Sequence, residues 1–328
     1  MRLHYWFHSA LTVLVFYTFG IWGITNNSWS QSFPSHPIRV IVPFSAGAGA
    51  DINARLASEG MSENLGQPVV VENITGATGN IGMERAAKAT PDGYTLFLAS
   101  AINTSNYAAR PESTQDLLSL FKPIGKIGDN AFALVVSPKS GIKSLDDLLA
   151  LAKSKPGTLA YGSVGIGSSH HFVSEMFRSA ASIDVIHIPY RGEGEVIGEV
   201  IAGRLAFSFV VTARPFLERN QLLALATTAP GPWPLLKDVP PLATLGFPRF
   251  EQTGWNGFMV NKATPDDIVT KLSQSLGKAL KNEKLRVAQA ATGFMPANGS
   301  PEEMTQQIQN DLQKFRQVIN ERKLKFTE

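Results

Sequence analysis

The sequence predicts an α/β fold, and three observations carry that prediction. Short β-branched or apolar runs alternate with helical periods along most of the chain. Two strand-to-helix turns, at residues 45–50 and 163–169, consist almost wholly of Gly, Ala and Ser. Helix-opening signals, Ser144 and the Thr264-Pro265 and Ser300-Pro301 pairs, recur from residue 144 onward.

The elements follow in order. Residues 38–42 (IRVIV) form a β-branched strand that Pro43 ends. A helical period then places Ile52, Leu56, Ala57, Met61 and Leu65 on one face, with Asp51 at the N-cap and Gly66 to Pro68 as the stop. Residues 69–71 are all valine, as expected of a buried parallel strand. Gly76, Gly79 and Gly82 space out a loop before a short helix over 83–89, and a PDG turn leads into a strand over 94–98.

Residues 132–136 read as another buried strand. Ser144 caps a helix carrying Leu145, Leu148, Leu149 and Ala152. A strand at 159–161 enters the second small-residue turn, and 185–188 and 222–227 are strands of the same sheet. Proline and glycine cluster between residues 230 and 248, which reads as a surface loop. After a strand at 255–260, Thr264 caps a helix with Ile268, Leu272, Leu276 and Leu280 in register. The last helix follows Ser300 and buries Ile308, Leu312, Phe315 and Ile319.

Composition narrows the function classes. At 328 residues the chain is long enough for one large domain or two ordinary ones. Its 44% apolar and 17% charged residues place it among globular proteins rather than disordered or fibrous ones. A net charge of +3 without a basic cluster disfavours a nucleic-acid partner. The absence of cysteine removes disulfides, thiolate metal sites, a cysteine nucleophile and a cysteine-linked lipid anchor.

Arg2, the apolar run 10–24 and the small-x-small triplet Ser28-Trp29-Ser30 have the layout of a secretory signal peptide over 1–30, cleaved after Ser30. An uncleaved anchor is the alternative, although the run is short of the roughly 20 residues a membrane span needs.

Chemistry concentrates in the two small-residue turns. In the first, Phe44, Ser45, Ala46, Gly47, Ala48, Gly49 and Asp51 precede or open a helix. Small residues expose backbone N–H groups there, and the partly positive helix start makes an anion site without Lys or Arg. The second turn repeats the logic with Ser163, Gly165, Gly167, Ser168 and His170. Facing each other across a cleft, the two could hold both ends of a small ligand. The plainer reading of each is a tight turn, and of His170 a hydrogen-bonded structural residue.

Ser100 and Asn103, at a strand end, could line the same cleft or belong to a plain polar loop. The loop 76–82 either reaches the cleft or forms a surface turn.

Catalytic signatures are weak. Gly162-Ser163-Val164-Gly165 has the wrong spacing for a nucleophile elbow. Adjacent His170 and His171 would point about 100° apart on a helix and cannot easily share a metal. No carboxylate pair stands out as acid and base. Gly47-Ala48-Gly49 lacks the third glycine of a dinucleotide fingerprint, since Ile52 stands there. No cofactor, metal or catalytic residue is expected.

Several ordered stretches resemble the tripartite tricarboxylate transporter substrate-binding proteins, the TctC-like or Bug family. They are PIRVIVPFSAG (37–47), LGQPVVVEN (65–73), GATGNIG (76–82), ATPDGYTL (89–96), YGSVGIGSSH (161–170), HIPYRG (187–192), DVPP (238–241) and SPEE (300–303). Together they run along nearly the whole chain after the leader.

The resemblance implies a two-lobed periplasmic binding protein of type II-like architecture, with two mixed sheets flanked by helices, a hinge and an interlobe cleft. Residues 33–136 plus 256–328 would form one lobe and 137–255 the other, with crossings at 132–136 and 255–260. It further implies that backbone amides of the two turns grip a ligand carboxylate, partly through water, while polar residues elsewhere select the rest of the ligand. The chain departs from the family pattern where Ala48 and Ala50 replace glycine and threonine. It departs again at 100–104, and at Phe209-Val210-Val211, where an expected cleft acid is missing. A carboxylate follows from this; citrate in particular does not.

The expected function is that of a monomeric, periplasmic solute-binding protein, not an enzyme, that hands a small carboxylate to the permease subunits of such a transporter. The alternatives are a binding protein that signals to a membrane sensor, and an exported hydrolase.

Overall fold

Two mixed sheets organise the chain. The computed structural model describes residues 33–248, 250–297 and 299–326; the expected signal peptide lies outside them. Every element below lies within Pro34–Glu328.

The first elements are β1 (Ile38–Val42), α1 (Gly49–Leu65), β2 (Val69–Asn73), α2 (Asn80–Ala87), β3 (Thr95–Ser100), α3 (Ala101–Ala109), α4 (Leu117–Leu120) and β4 (Phe121–Ala131). Then come β5 (Ala133–Val136), α5 (Leu145–Ser154), β6 (Ala160–Ser163), α6 (Ser169–Ala181), β7 (Ile186–Pro189), α7 (Glu193–Ile201), β8 (Phe207–Val210), α8 (Arg214–Glu218) and β9 (Leu223–Thr227). The chain closes with β10 (Thr253–Asn261), α9 (Asp266–Ala279), α10 (Glu283–Ala291), β11 (Met295–Pro296) and α11 (Pro301–Arg322).

One sheet has the order β11-β4-β10-β3-β1-β2, the other β7-β6-β8-β5-β9. Each joins a parallel βαβ portion to antiparallel strands: β1 runs parallel to β2 and β3, while β10 is antiparallel to β3 and β4. In the second sheet β6 runs parallel to β7 and β8, while β5 is antiparallel to β8 and β9.

The chain passes between sheets at Phe132, which separates β4 from β5, and returns through Gln252 into β10. Thr228 ties the two passages together. Its hydroxyl accepts the Phe132 N–H at 3.1 Å and donates to the Gln252 carbonyl, and its own carbonyl accepts the Gln252 N–H at 2.8 Å. Helix α11 packs on both halves: Met304 and Ile308 lie in the core of the six-stranded sheet, and Phe315 in that of the five-stranded one.

The structure corrects several local expectations. The valines of β2 do not form a buried strand: β2 is a sheet edge, and Val70 is 55% exposed while Val69 is buried. The buried face of α1 is rotated from the predicted stripe and carries Asn53, Ala54, Ala57, Ser58, Gly60 and Met61. Helix α9 imposes this, because a Cβ on Gly60 would stand 2.7 Å from that of Ala279, so small residues win the interface.

Two N-caps also move. Ala48, not Asp51, caps α1, and α9 starts after Pro265 rather than Thr264. Ser144 and Ser300 cap as expected, each accepting the N–H three residues on.

Residues 101–109 form helix α3 rather than a loop, and β4 is an unpredicted eleven-residue strand. Pro123, Gly125 and Gly128 blur its alternation, and its register against β10 shifts twice. Gly125 is required by contact, since a Cβ there would meet the Gly299 carbonyl oxygen at 2.1 Å. Among the described residues no helix is long and apolar enough to cross a membrane.

Candidate functional site

Four helices begin where the two sheets face each other: α1 and α3 from the six-stranded half, α6 and α7 from the five-stranded half. Their first residues line a cavity of about 740 Å³, within the range of small-molecule sites. Ser100 and Ser168 cap α3 and α6 with their side chains, whereas Ala48 and Gly192 leave α1 and α7 without a side-chain cap. Uncapped N–H groups at a helix start favour an anion.

The predicted residues divide into those that line the cavity and those behind it. Phe44, Ser45, Ala48 and Gly49 line it, as do Ser100, Gly165 and His170. Ala46 and Gly47 are exposed and do not. Asp51 is buried behind the first turn, where it accepts from the Gly47 N–H at 2.9 Å, Arg55 at 3.0 Å and Asn73 at 2.8 Å. Burial acts to raise its pKa, but these three donors outweigh it and hold the carboxyl below its ordinary value. Asp51 therefore shapes the turn.

Asn103 closes a capping box with Ser100, accepting that residue's N–H at 3.0 Å. Ser163 bonds His187 at 2.7 Å, and Ser168 accepts the His171 N–H at 3.2 Å. With Gly167 they support the second turn from outside the lining. The loop around Gly76 does reach the cavity, through residues 75–79.

The cavity contains a carboxylate the sequence did not flag. Glu193, at the first position of α7, is buried. It accepts the Val211 N–H at 2.9 Å, the Thr212 N–H at 2.7 Å, the Thr212 hydroxyl and His170 Nε2 at 2.7 Å. Burial acts to raise its pKa, yet these partners keep it below the ordinary glutamate value. An ionised Glu193 makes Nε2 of His170 the donor, and His170 Nδ1 is buried with no hydrogen-bond partner among the described residues. The cavity thus holds an acid from α7, bonded to the N–H groups that follow β8.

His171 turns away from the cavity. It stacks on His187 at 3.8 Å between ring centroids, and its Nδ1 accepts the Gly167 N–H at 3.2 Å. Burial, and for His171 the neighbouring His187, lowers their pKa values to about 3 and about 4. Neutral rings brace the base of the second turn.

Contacts cross between the halves around the cavity. Thr78 donates to the Ile166 carbonyl at 3.3 Å and Ser105 to the Gly167 carbonyl at 3.0 Å. On another side, Arg214 donates to the Ala290 carbonyl at 3.3 Å. Gly49 fits tightly, since a Cβ would meet Thr212 Cγ2 at 2.6 Å.

Sequence reasoning also missed Asn130, Phe132, Tyr190, Trp255 and Phe294, which line the cavity. Tyr190 and Arg191 stand in the HIPYRG stretch, so that motif was the available signal. Nothing local marks Phe294 or Asn130. Among the described residues no group of three or more His, Asp or Glu could hold a metal ion.

Comparison with known proteins matches this architecture. A family model described as tripartite tricarboxylate transporter family receptor covers residues 53–324. Protein BugT of Bordetella pertussis is 31% identical over 303 residues, spanning 91% of this chain and 93% of BugT. A solved periplasmic transporter is 36% identical with a TM-score of 0.86, covering 90% of this chain and all of that one. R. palustris Rpa4515, solved with adipate, is 28% identical with a TM-score of 0.84, covering 88% and 98% of the two chains.

Proposed function

Because the chain belongs to the tripartite tricarboxylate transporter receptor family, whose members are periplasmic solute-binding proteins and not enzymes, we propose that it captures a small carboxylate-bearing solute in the cavity between its two sheets. The observation that carries this reading is the uncapped start of α1, with Gly49 and Ala50 lining the cavity and, among the described residues, no side chain satisfying their N–H groups. The adipate held by Rpa4515 is a carboxylate of the same kind.

In this reading the two lobes follow the two sheets, close to the expected bounds of 33–136 plus 256–328 and 137–255, except that β5 goes with the five-stranded half and all of β10 with the six-stranded half. They close on the ligand about the passages that Thr228 joins. The segment 1–30 directs export and is removed near Ser30. The loaded monomer then meets the permease subunits of a tripartite transporter. A membrane sensor is the alternative partner.

A thermal-shift panel of mono-, di- and tricarboxylates, amino acids and neutral sugars tests the ligand chemistry. A ligand selective for the folded state adds about 2.7 kcal/mol at a hundredfold excess over its Kd. Mass spectrometry of the denatured protein identifies any solute carried through purification. A sugar as the released or stabilising solute, with all acids inert, would overturn the reading.

A further inference from the structure

The cavity's own side chains restrict the ligand further, on the premise that it binds through a carboxylate. Five aromatic residues line it: Phe44, Phe132, Tyr190, Trp255 and Phe294. Several of its polar side chains are already committed to the protein. Ser100 is engaged with Asn103, Thr78 with Ile166, and Thr212 with Glu193. Asn256 donates to the Trp255 carbonyl at 3.1 Å and accepts from Asn53 at 3.4 Å.

Charge points the same way. Apart from His170, Arg191 is the one basic side chain of the lining, and it is exposed, whereas Glu193 and Glu195 bring two carboxylates. A second carboxylate on the ligand would be desolvated beside Glu193 without a buried cation to offset the cost. An ammonium group is no better served, because four donors occupy both oxygens of Glu193.

We propose that the ligand is an aromatic monocarboxylic acid: its carboxylate lies at the start of α1, and its ring lies among Phe44, Phe132, Tyr190, Trp255 and Phe294. The ring replaces water against apolar surface and meets aromatic neighbours in stacked or edge-on geometry. Few further polar groups are needed on such a molecule, which fits a cavity where several hydrogen-bonding side chains already serve the protein.

The test is calorimetric titration of the purified full chain, cleared of bound solute by unfolding and refolding. The probes are benzoate, phenylacetate, malate, adipate, aspartate and glycine betaine, and the solute released on unfolding is identified by mass spectrometry. An aromatic acid binding at least tenfold more tightly than every other probe, or an aromatic acid as the released solute, supports the proposal. Phe44→Ala and Tyr190→Ala, at half-buried sites, should then each weaken that acid at least fivefold while leaving the melting temperature of the empty protein near wild type.

Tighter binding of malate, adipate, aspartate or betaine overturns the aromatic assignment and leaves carboxylate capture intact. Failure of every acid, with a non-acidic released solute, overturns carboxylate capture as well.

Discussion

His170 Nε2 lies 2.7 Å from a carboxylate oxygen of Glu193, joining the first turn of α6 to the first residue of α7. The same carboxylate takes the N–H groups of Val211 and Thr212, so one buried side chain holds three segments of the cavity wall. Glu193→Gln keeps the shape but removes the charge and turns an amide NH₂ toward donors. Loss of charge-assisted bonds at a buried site should lower stability by about 3 kcal/mol. It should also weaken ligand binding, checked by denaturant unfolding and titration on the same sample.

Glu193 also has a pH signature. Its folded pKa lies below the ordinary glutamate value, so the unfolded state binds its proton first as pH falls. The stabilisation is complete above the unfolded pKa of about 4.3 and disappears as pH drops through the lower folded value. Glu193→Gln should therefore differ most from wild type near neutrality and converge toward it in acid, followed by urea midpoints across pH.

Gly49 and Gly47 should respond differently to the same substitution. At Gly49 a Cβ meets Thr212 of the opposite half at 2.6 Å, so Gly49→Ala should hold the halves apart and weaken binding at least tenfold. Gly47 has φ +79 with open space around it, so Gly47→Ala adds backbone strain of about 1 kcal/mol and little steric conflict. Small-angle scattering with and without ligand would separate them; equal closure in both variants contradicts the geometry.

The His171–His187 stack should make the protein acid-labile. Both rings are neutral in the fold down to about pH 4, while unfolded histidines protonate near 6.5. Folded pKa values below the unfolded ones mean that the unfolded state takes up more protons as pH falls. Stability should drop below pH 6.5 by about 1.4 kcal/mol per pH unit for each ring. His187→Gln should flatten that slope.

Asp311 should act in the opposite sense. Burial pushes its carboxyl up to about 6, although Trp255 and Gln307 donate to it and Lys314 and Lys126 lie nearby. Its ionisation is harder in the fold than in the unfolded chain, so wild type loses stability as pH rises from about 4 to 6, on the order of 2 kcal/mol. Asp311→Asn should lack that component, read as the difference between wild-type and variant unfolding curves at pH 4 and pH 7.

How much was legible depended on the range of the interaction. The strand ending at Pro43, the two small-residue turns and the caps at Ser144 and Ser300 depend on neighbours a few residues away, and a single sequence carries that information. The buried face of α1 did not follow from periodicity, because Ala279, more than two hundred residues on, selects small residues there. Strand β4 escaped because its proline and glycines serve bulges and a contact with Gly299. An acid was sought after β8, where Val210 and Val211 stand; the buried acid of the cavity is Glu193, from α7.

The alternation of strands and helices, the globular class, the exclusion of thiol chemistry and the two anion-ready turns follow from the sequence alone, since composition and local backbone preference specify them. Which turn residues face the cavity, and that five aromatic side chains and a satisfied glutamate enclose it, follow only from packing. Residues separated by 62 to more than two hundred positions meet around it, as Ser105 meets Gly167 and Asn53 meets Asn256. Such pairs form because the two sheets share one chain that crosses at Phe132 and Gln252, and local propensity holds no record of that crossing.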